Sequence, residues 1–298
     1  MKPTWEELIE AFNQYLASCD KSNLTRSTYL AELKKFSEWI QVEPDQVADI
    51  DIKEYRQWLY LNKKLKPTTV NKALVTLKKF YTWANEAKLL DRNPAAHIKL
   101  VEVEAPPPKW LSRSEELKYR RELQRERNPR KRTRDSAVIS AMIDCGLRVS
   151  EVSFLELDDV VVAPKSGKVV VRKGKRYRHR EVPLNADARK AFEEYLLIRH
   201  TYPQAQNSNY LFVSERANRL TQRAIQHLVE EYAYRAKIKV TPHTLRHTFG
   251  HNLALAGRSL TEIQKLMGHK NINTTAIYLT PGEEELISAV ESISWRDK

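Results

Sequence analysis

The sequence has 298 residues, of which 41% are hydrophobic and 30% charged, so it is long enough for two domains and apolar enough for a sizeable core. Lys and Arg number 51 against 38 Asp and Glu, and the net charge of +13 favours a polyanionic partner without choosing between DNA, RNA and a membrane surface. No apolar run of about 18 residues and no secretory leader occurs, so we expect a cytoplasmic protein without a membrane partner.

The chain is predicted to divide at a proline-rich stretch. The three consecutive prolines in "VEVEAPPPKW" force an extended segment that neither a helix nor a sheet absorbs. We therefore predict a first domain at residues 1–103, a linker at 104–110 and a second domain at 111–298. The chain up to the linker is nearly neutral, so almost all of the excess positive charge belongs to the second domain.

The first domain is predicted to be helical. Apolar residues recur at helical spacing over residues 28–40 and again from Pro67 to Ala84, which is typical of helices that face a core. The opposite face of the later helix is basic and is a candidate for contact with DNA phosphates, although solvated lysines are the more common case. The lysines on this face are Lys72, Lys78 and Lys79.

The second domain is predicted to be mainly helical with one β-hairpin. An almost wholly apolar helix over residues 135–146 ends at a glycine, and Ser150 is expected to cap a short helix after it. β-branched residues on either side of a basic, glycine-containing tip predict a hairpin over residues 167–184. Further helices are predicted at 187–200, 221–236, 244–256 and 259–267, the last with a capping box of Ser259 and Glu262 and with Gly268 after its end.

Metal and cofactor sites are not expected from the sequence. His243 and His247 share one helix face as in a zinc protease, but no glutamate base lies between them and the intervening Arg246 disfavours a metal. Cys19 and Cys145 are too isolated for a disulfide framework or a zinc ribbon, so we expect two reduced structural thiols.

The remaining motifs are rich in cations and hydrogen-bond donors, which suits a reaction at a phosphodiester. Guanidinium groups match the charge of the non-bridging oxygens, and a lysine or histidine can protonate the leaving 5′ oxygen. A tyrosine, with a free pKa of about 10, needs a base or surrounding positive charge before it attacks. Each residue alone has a structural explanation such as capping or core packing, so the combination carries the argument. The motifs supply Arg148, Lys173, His243, Arg246, His247, His269 and Tyr278.

The order Arg, Lys, His-x-x-Arg, His, Tyr resembles the tyrosine recombinases of the phage-integrase type, most closely the bacterial Xer-like members. The matching segments are "GLRVSEV", "KGKRYRHREVPL", "TPHTLRHTF" and "LMGHKNINTTAIY". The segment "KPTTVNKALVTLKKFYTWANEAKLLDRNPA" is similar to the family's helical, SAM-like core-binding domain, so the resemblance covers nearly the whole chain. It implies that the catalytic residues are Arg148, Lys173, His243, Arg246, His269 and the nucleophile Tyr278, with Glu151 and His247 in support.

The resemblance implies a mainly α fold with a small β-hairpin or sheet, arranged as a two-domain C-shaped clamp around duplex DNA. It implies cleavage of one strand at a time through a 3′-phosphotyrosyl link, and exchange through a Holliday junction within a tetramer on two DNA sites, without metal or ATP. The major-groove helix of the family corresponds to residues 221–236, so Gln222 and Arg223 are candidate DNA contacts, together with Lys175 and Arg176 of the hairpin tip.

A C-terminal apolar stripe follows the tyrosine, and in this family such a stripe docks on a neighbouring protomer; docking on its own chain is the alternative. The stripe consists of Leu286, Ile287, Val290 and Ile293. Accessory proteins are compatible with the resemblance, and the target sequence is not encoded in it.

Several alternatives stay open on the sequence alone. Lys175 competes with Lys173 as the acid for the leaving oxygen, and Glu151 either orients the first arginine or simply complements a helix N-terminus. The basic run at residues 118–134 is either a solvated helix and loop or a phosphate contact. A DNA-binding protein without chemistry and a type IB-like topoisomerase are the competing functions.

Overall fold

The structure of the protein is a computed structural model that describes residues 2–103, 109–172, 180–269, 271–279 and 290–293. The chain forms two compact units, Met1–Pro106 and Pro107–Lys298, and the division falls within the segment expected to be a linker. In the described residues, no helix is both long enough and apolar enough to cross a bilayer.

The first unit is helical, as predicted, with a core of apolar and aromatic side chains. One predicted helix begins at Asn23 instead of residue 28, because the Ser22 hydroxyl accepts a hydrogen bond from the Thr25 backbone N–H at 3.1 Å and caps the helix earlier. Two further helices were not predicted. The helices are α1 (Trp5–Ser18), α2 (Asn23–Ile40), α3 (Asp49–Leu61) and α4 (Pro67–Glu86).

The basic face of α4 is partly used inside the first unit. Lys72 Nζ lies 3.3 Å from Glu32 Oε1, and Lys78 Nζ donates a hydrogen bond to the Ile98 carbonyl at 3.1 Å. Lys79 borders a shallow surface cavity together with Lys78. Contact of these lysines with DNA stays a prediction, and Lys72 and Lys78 form contacts within the first unit.

The second unit combines helices with a small antiparallel sheet in the order β1-β2-β3, which confirms the predicted fold class. The strands are β1 (Val160–Val162), β2 (Gly167–Val171) and β3 (Arg180–Pro183). The helices are α5 (Arg113–Gln124), α6 (Pro129–Ile143), α7 (Val149–Ser153), α8 (Ala186–Arg199), α9 (Gln222–Arg235), α10 (Pro242–Leu255), α11 (Leu260–Met267) and α12 (Asn273–Ala276), followed by a 3-10 turn (Ile277–Leu279).

Helix α6 lies at the centre of this unit, because it packs against both α8 and α10 and most of its side chains are buried. It begins at Pro129 instead of residue 135, since the Asn128 side chain accepts a hydrogen bond from the Lys131 backbone N–H at 3.1 Å. The predicted capping box of Ser259 and Glu262 at α11 is confirmed. Both cysteines are free; Cys145 is buried, which fits a structural thiol, whereas Cys19 is exposed.

Several cations of the basic run at residues 118–134 form ion pairs. Lys131 Nζ lies 2.9 Å from Glu231 Oε1, and Arg134 Nη2 lies 2.8 Å from Asp135 Oδ1. Arg130 pairs with Glu215. Arg130 and Lys131 join α6 to other segments, whereas Arg134 pairs within α6, so the structure favours a structural role for these three cations.

The C-terminal apolar stripe is only partly described. Val290 and Ile293 are exposed, and Leu286 and Ile287 lie outside the described residues. Docking of this stripe stays a prediction.

Candidate active site

The turn between α6 and α7 forms one side of the site. Gly146 has φ +64°, a conformation that glycine adopts easily, and a Cβ at this position would overlap the Phe249 ring. The turn brings Arg148, and not Ser150 as predicted, to the N-cap of α7. The Glu151 carboxylate accepts hydrogen bonds from the Arg148 backbone N–H at 2.8 Å and from its guanidinium at 2.9 Å. Glu151 therefore caps the helix and orients the first arginine at the same time.

Arg180, which sequence reasoning missed, joins three segments of the site. As the first residue of β3, it donates to both oxygens of Glu151, each at 2.9 Å. Its Nε donates to the Leu266 carbonyl at 2.8 Å, so the hairpin is tied to α7 and to the end of α11. Nothing in "RKGKRYRHREV" separates Arg180 from the other cations of the tip; its pairing with Val171 in the sheet distinguishes it.

Arg246 lies almost completely buried in α10, with 4% of its surface exposed. Its guanidinium donates to the carbonyls of Gly146 and Met267 and so connects the segment before Arg148 with the segment before His269. Burial, and then the charge of Arg148, lower the pKa of Arg246 to about 9. Arg246 remains a cation at neutral pH.

The site carries an excess of positive charge. Guanidinium groups of Arg148 and Arg180 contact the Glu151 carboxylate, and Arg246 Nη1 lies 3.9 Å from the same carboxylate. One carboxylate thus faces three guanidinium groups. The Arg148 side chain is also 37% exposed, so an anion can reach the cluster from solvent.

Tyr278 lies in the 3-10 turn after α12, with its phenol oxygen 2.6 Å from Nδ1 of His247. The ring packs in an apolar cluster with Phe249, Ile263 and Met267 and is only 3% exposed. Burial raises the pKa of Tyr278 to about 12, although Arg246 and Arg148 act in the opposite direction. The phenol is therefore protonated at neutral pH in this structure.

Glycines make room for this arrangement. A Cβ at Gly250 in α10 would lie 2.7 Å from Cζ of Tyr278, and a Cβ at Gly268 would lie 3.0 Å from the Arg180 side chain. Gly268 ends α11 with φ +63°, as its sequence position predicted, and turns the chain towards His269.

His269 also lies beside the Tyr278 ring, with the two rings nearly parallel and their centroids 6.3 Å apart. Its Nδ1 shares a hydrogen bond of 2.9 Å with the hydroxyl of the buried Thr275. Burial, followed by the charges of Arg246 and Arg148, lowers the pKa of His269 to about 4. The imidazole is neutral at neutral pH.

Of the predicted catalytic residues, Arg148, Arg246, His269 and Tyr278 meet in this cluster. His243 lies one turn of α10 before His247 and is exposed. The supporting residues Glu151 and His247 touch the cluster directly, as described above. The hairpin-tip residues Lys173, Lys175 and Arg176 lie outside the described residues, while Gln222 and Arg223 are exposed at the start of α9.

Removal of Arg180 is expected to lower the free energy of unfolding by about 3 kcal/mol, because Arg180→Ala leaves a largely buried carboxylate without its bidentate partner. Equilibrium unfolding in urea measures the change. The Lys168–Glu181 pair of the same hairpin is the control: its side chains are 45% and 51% exposed, so Lys168→Ala is expected to cost less than about 1 kcal/mol. Equal losses in the two variants would contradict a special role for Arg180.

The charge of Glu151 is expected to make stability depend on pH in the acid range. Burial opposes ionisation, but hydrogen bonds and charge from Arg180 and then Arg148 outweigh it and lower the pKa of Glu151 from 4.5 to about 2. The resulting stabilisation, about 3 kcal/mol, is complete above pH 4.5 and is lost as the pH falls towards 2. In urea unfolding, the gap between wild type and Glu151→Gln should therefore narrow between pH 6 and pH 3. A gap that stays constant over this range would contradict the prediction, and exposed Glu194→Gln, measured in parallel, is the control.

Comparison with known proteins identifies the family. The family described as "Phage integrase family" matches residues 116–285, and "Phage integrase, N-terminal SAM-like domain" matches residues 8–91. A tyrosine recombinase XerC from Thermodesulfovibrio yellowstonii is 32% identical over 276 residues, covering 91% of this chain and 90% of that relative.

Solved structures agree with this result. The crystal structure of XerA recombinase is 28% identical, with a TM-score of 0.55 and coverage of 97% of this chain and 98% of that one. XerH site-specific recombinase bound to its palindromic difH substrate, in a post-cleavage complex, has the same fold, with a TM-score of 0.77 at 21% identity and coverage of 97% and 84%. This chain belongs to the phage integrase family, and the relatives that it resembles are tyrosine recombinases.

Proposed function

We propose that this chain is a site-specific DNA recombinase, which cuts and rejoins duplex DNA one strand at a time through a 3′-phosphotyrosyl link to Tyr278. The observation that carries the proposal is the surroundings of the phenol oxygen, which lies 2.6 Å from His247 and within the electrostatic field of Arg246 and Arg148. His247 and Arg246 are neighbours in α10, whereas Arg148 precedes α7 and Tyr278 lies in the 3-10 turn, so three separate segments of the chain meet at the phenol. Membership of the family supports the same activity.

The arginines are suited to hold the scissile phosphate. Negative charge grows on the non-bridging oxygens during the attack, and guanidinium groups fixed in advance stabilise it. We assign this role to Arg148 and Arg246, because the charges of these two arginines act on the Tyr278 phenol, whereas Arg180 is directed to the Glu151 carboxylate and the Leu266 carbonyl. A bound phosphodiester would offset the excess positive charge that lowers the pKa of Arg246.

The covalent step forms a bond between phosphorus and the Tyr278 oxygen and breaks the bond from phosphorus to the 5′ oxygen. The leaving oxygen needs a proton, and we assign its donor to Lys173, with Lys175 as the competing candidate. Both lysines precede Arg180, which is hydrogen-bonded to Glu151 beside the proposed phosphate site. His243 and His269 are the proposed further contacts to the phosphate. Since the phosphotyrosine retains the energy of the broken bond, rejoining requires neither ATP nor a metal.

Duplex DNA is the proposed partner, and the net charge of +13 supports a contact dominated by phosphates. We assign Gln222 and Arg223, exposed at the start of α9, to the DNA-facing surface. The XerH structure with its difH substrate supports duplex DNA as the ligand. We further propose exchange through a Holliday junction in a tetramer on two DNA sites, with the segment of exposed Val290 and Ile293 docking on a neighbouring protomer.

Covalent capture tests this function. Wild-type protein mixed with sheared genomic DNA of its own source organism should give DNA fragments that stay attached to protein in detergent and are released by protease. Sequencing the broken ends should locate a defined site, and a duplex of that sequence, nicked beside the break so that the freed fragment diffuses away, should accumulate the adduct. Binding without an adduct would instead indicate a DNA-binding protein, and adducts at random positions with relaxation of any plasmid would indicate a topoisomerase.

A further inference from the structure

The phenol proton of Tyr278 must be removed during the attack, and its surroundings restrict where it can go. Only 3% of the Tyr278 surface is exposed, so bulk solvent has little access to this residue. The hydrogen-bond partner of that hydroxyl within the described residues is Nδ1 of His247, at 2.6 Å. A phenol whose pKa is raised by burial to about 12 does not ionise spontaneously at neutral pH, so attack requires an acceptor at hydrogen-bond distance.

His247 is in the correct state to be this acceptor. Burial, and then the positive fields of His243 and Arg246, lower the pKa of its imidazole. At neutral pH the ring is therefore neutral, and the nitrogen that faces the phenol offers a lone pair when the other nitrogen carries the hydrogen.

The neighbouring groups are already engaged or lack a lone pair. The arginines near the phenol donate and do not accept. The Glu151 carboxylate is engaged by Arg148 and Arg180, and Nδ1 of His269 shares its hydrogen bond with Thr275. Among the described residues, the side chain that is hydrogen-bonded to the phenol oxygen is His247.

We propose that His247 is a catalytic residue whose Nδ1 accepts the proton of Tyr278 while the phenol oxygen bonds to the scissile phosphorus. The bond to the 5′ oxygen breaks in the same step, and that oxygen takes a separate proton from the acid on the hairpin. In the reverse step, the 5′ hydroxyl attacks the phosphotyrosine and the imidazolium returns its proton to the phenol. The negative charge of the bound phosphate stabilises the imidazolium while the link exists. This role rests on the proposed function and extends it.

Substitution by asparagine separates proton transfer from hydrogen bonding. The amide oxygen of His247→Asn can still accept a hydrogen bond close to the position of Nδ1, but it cannot take up the proton. Single-turnover cleavage of the nicked duplex found by covalent capture is expected to slow about 100-fold or more in His247→Asn, and to a similar extent in His247→Ala. Exposed His200 at the end of α8 provides the matched control, His200→Asn, which should cleave at the wild-type rate. Cleavage by His247→Asn at the wild-type rate would overturn the proposal. Cleavage by His247→Ala that is faster than wild type would also overturn it, because it would show that His247 only holds Tyr278 in an inactive position.

A more acidic nucleophile tests proton transfer directly. A fluorinated tyrosine at position 278 has a lower pKa and depends less on a base. The loss of cleavage rate caused by His247→Asn should therefore be smaller in a protein that carries this fluorinated tyrosine. A deficit of unchanged size would show that His247 acts through structure alone and would overturn the proposal. Thermal unfolding and noncovalent binding of the same duplex verify that each variant folds, with His247→Ala as the comparison if His247→Asn does not. Absence of an adduct with the wild-type protein would instead refute the recombinase function. Failure of the proposed function is therefore distinguishable from failure of the proposed role of His247.

Discussion

Replacing Tyr278 by phenylalanine is expected to abolish covalent attachment to DNA while leaving the fold intact. The phenyl ring fits the same apolar cluster of Phe249, Ile263 and Met267, so the main structural loss is the hydrogen bond to His247. One such bond contributes about 1 kcal/mol to stability, which a folded domain tolerates. Cleavage, in contrast, should fall below detection, because no other oxygen occupies this position. Protein-linked DNA on a denaturing gel measures the result.

The control for this substitution is Tyr234→Phe, because Tyr234 lies in the same unit and is 86% exposed. It should form the adduct at the wild-type rate. If Tyr278→Phe still formed a protease-sensitive adduct, another side chain would be the nucleophile and the proposed chemistry would be wrong. Noncovalent binding of the same duplex should be retained by both variants, since neither removes a charge.

The burial of Tyr278 gives the site a closed resting arrangement. The arginines and the carboxylate are fixed by hydrogen bonds to α7, α11 and the turn after α6, whereas Tyr278 is held by apolar packing and one hydrogen bond. Because Tyr278 as a residue is only 3% exposed, a phosphate of duplex DNA requires a local opening around the phenol. The proposed proton transfer requires that the hydrogen bond between Tyr278 and His247 is kept in that opened arrangement.

The sequence predicted some of the element boundaries that depend on local chemistry and missed others. Ser259, Glu262 and Gly268 are a capping box and a left-handed C-terminal residue, and both are determined by a few adjacent side chains. α1 has the same kind of signal in Thr4 and Glu7, where the structure shows a capping box, but it was not predicted. Errors at the start of α2 and α6 have the same origin, because Ser22 and Asn128 cap these helices before their apolar pattern begins.

The site was predictable as a set of residues and not as a geometry. Arg148, Arg246, His269 and Tyr278 could be selected because an ordered series of motifs contains them. The position of Arg180 depends on strand register and on a carboxylate 29 positions away in the chain, so its role required the fold. The approach of His247 to the tyrosine depends in the same way on how the 3-10 turn packs against α10.

The net charge does not locate the surface that is proposed to face DNA, because the partners of each cation depend on the fold. A run of cations in sequence indicates neither which side chains face solvent nor which meet carboxylates from distant segments. Lys131 at the start of α6 meets Glu231 of α9, 100 residues later, and this pair could not be read from the run itself. Lys72 of α4 likewise meets Glu32 of α2.

Arg246→Lys is expected to slow cleavage about 100- to 1,000-fold, which corresponds to about 3–4 kcal/mol of lost transition-state stabilisation. A lysine keeps the positive charge but lacks the planar set of donors of a guanidinium. It therefore cannot donate to the carbonyls of Gly146 and Met267 and to the phosphate at the same time. At least one buried carbonyl then loses its partner, and the free energy of unfolding should also fall by about 1–3 kcal/mol. Single-turnover cleavage of the nicked duplex and unfolding in urea measure the two effects separately.

The control for Arg246→Lys must cause a similar loss of stability without changing the active site, and Arg199 provides such a control. It is 7% exposed in α8, and its guanidinium donates to backbone carbonyls that include those of Leu211, Ala205 and Ser208. Arg199→Lys should therefore lose at least as much stability as Arg246→Lys, yet its folded fraction should cleave at the wild-type rate. Comparable rate losses in the two variants would mean that a buried arginine of this unit affects cleavage only through the fold. A rate loss confined to Arg246→Lys would place the lost energy in the reaction itself, because the two substitutions remove the same kind of group from the same kind of surroundings.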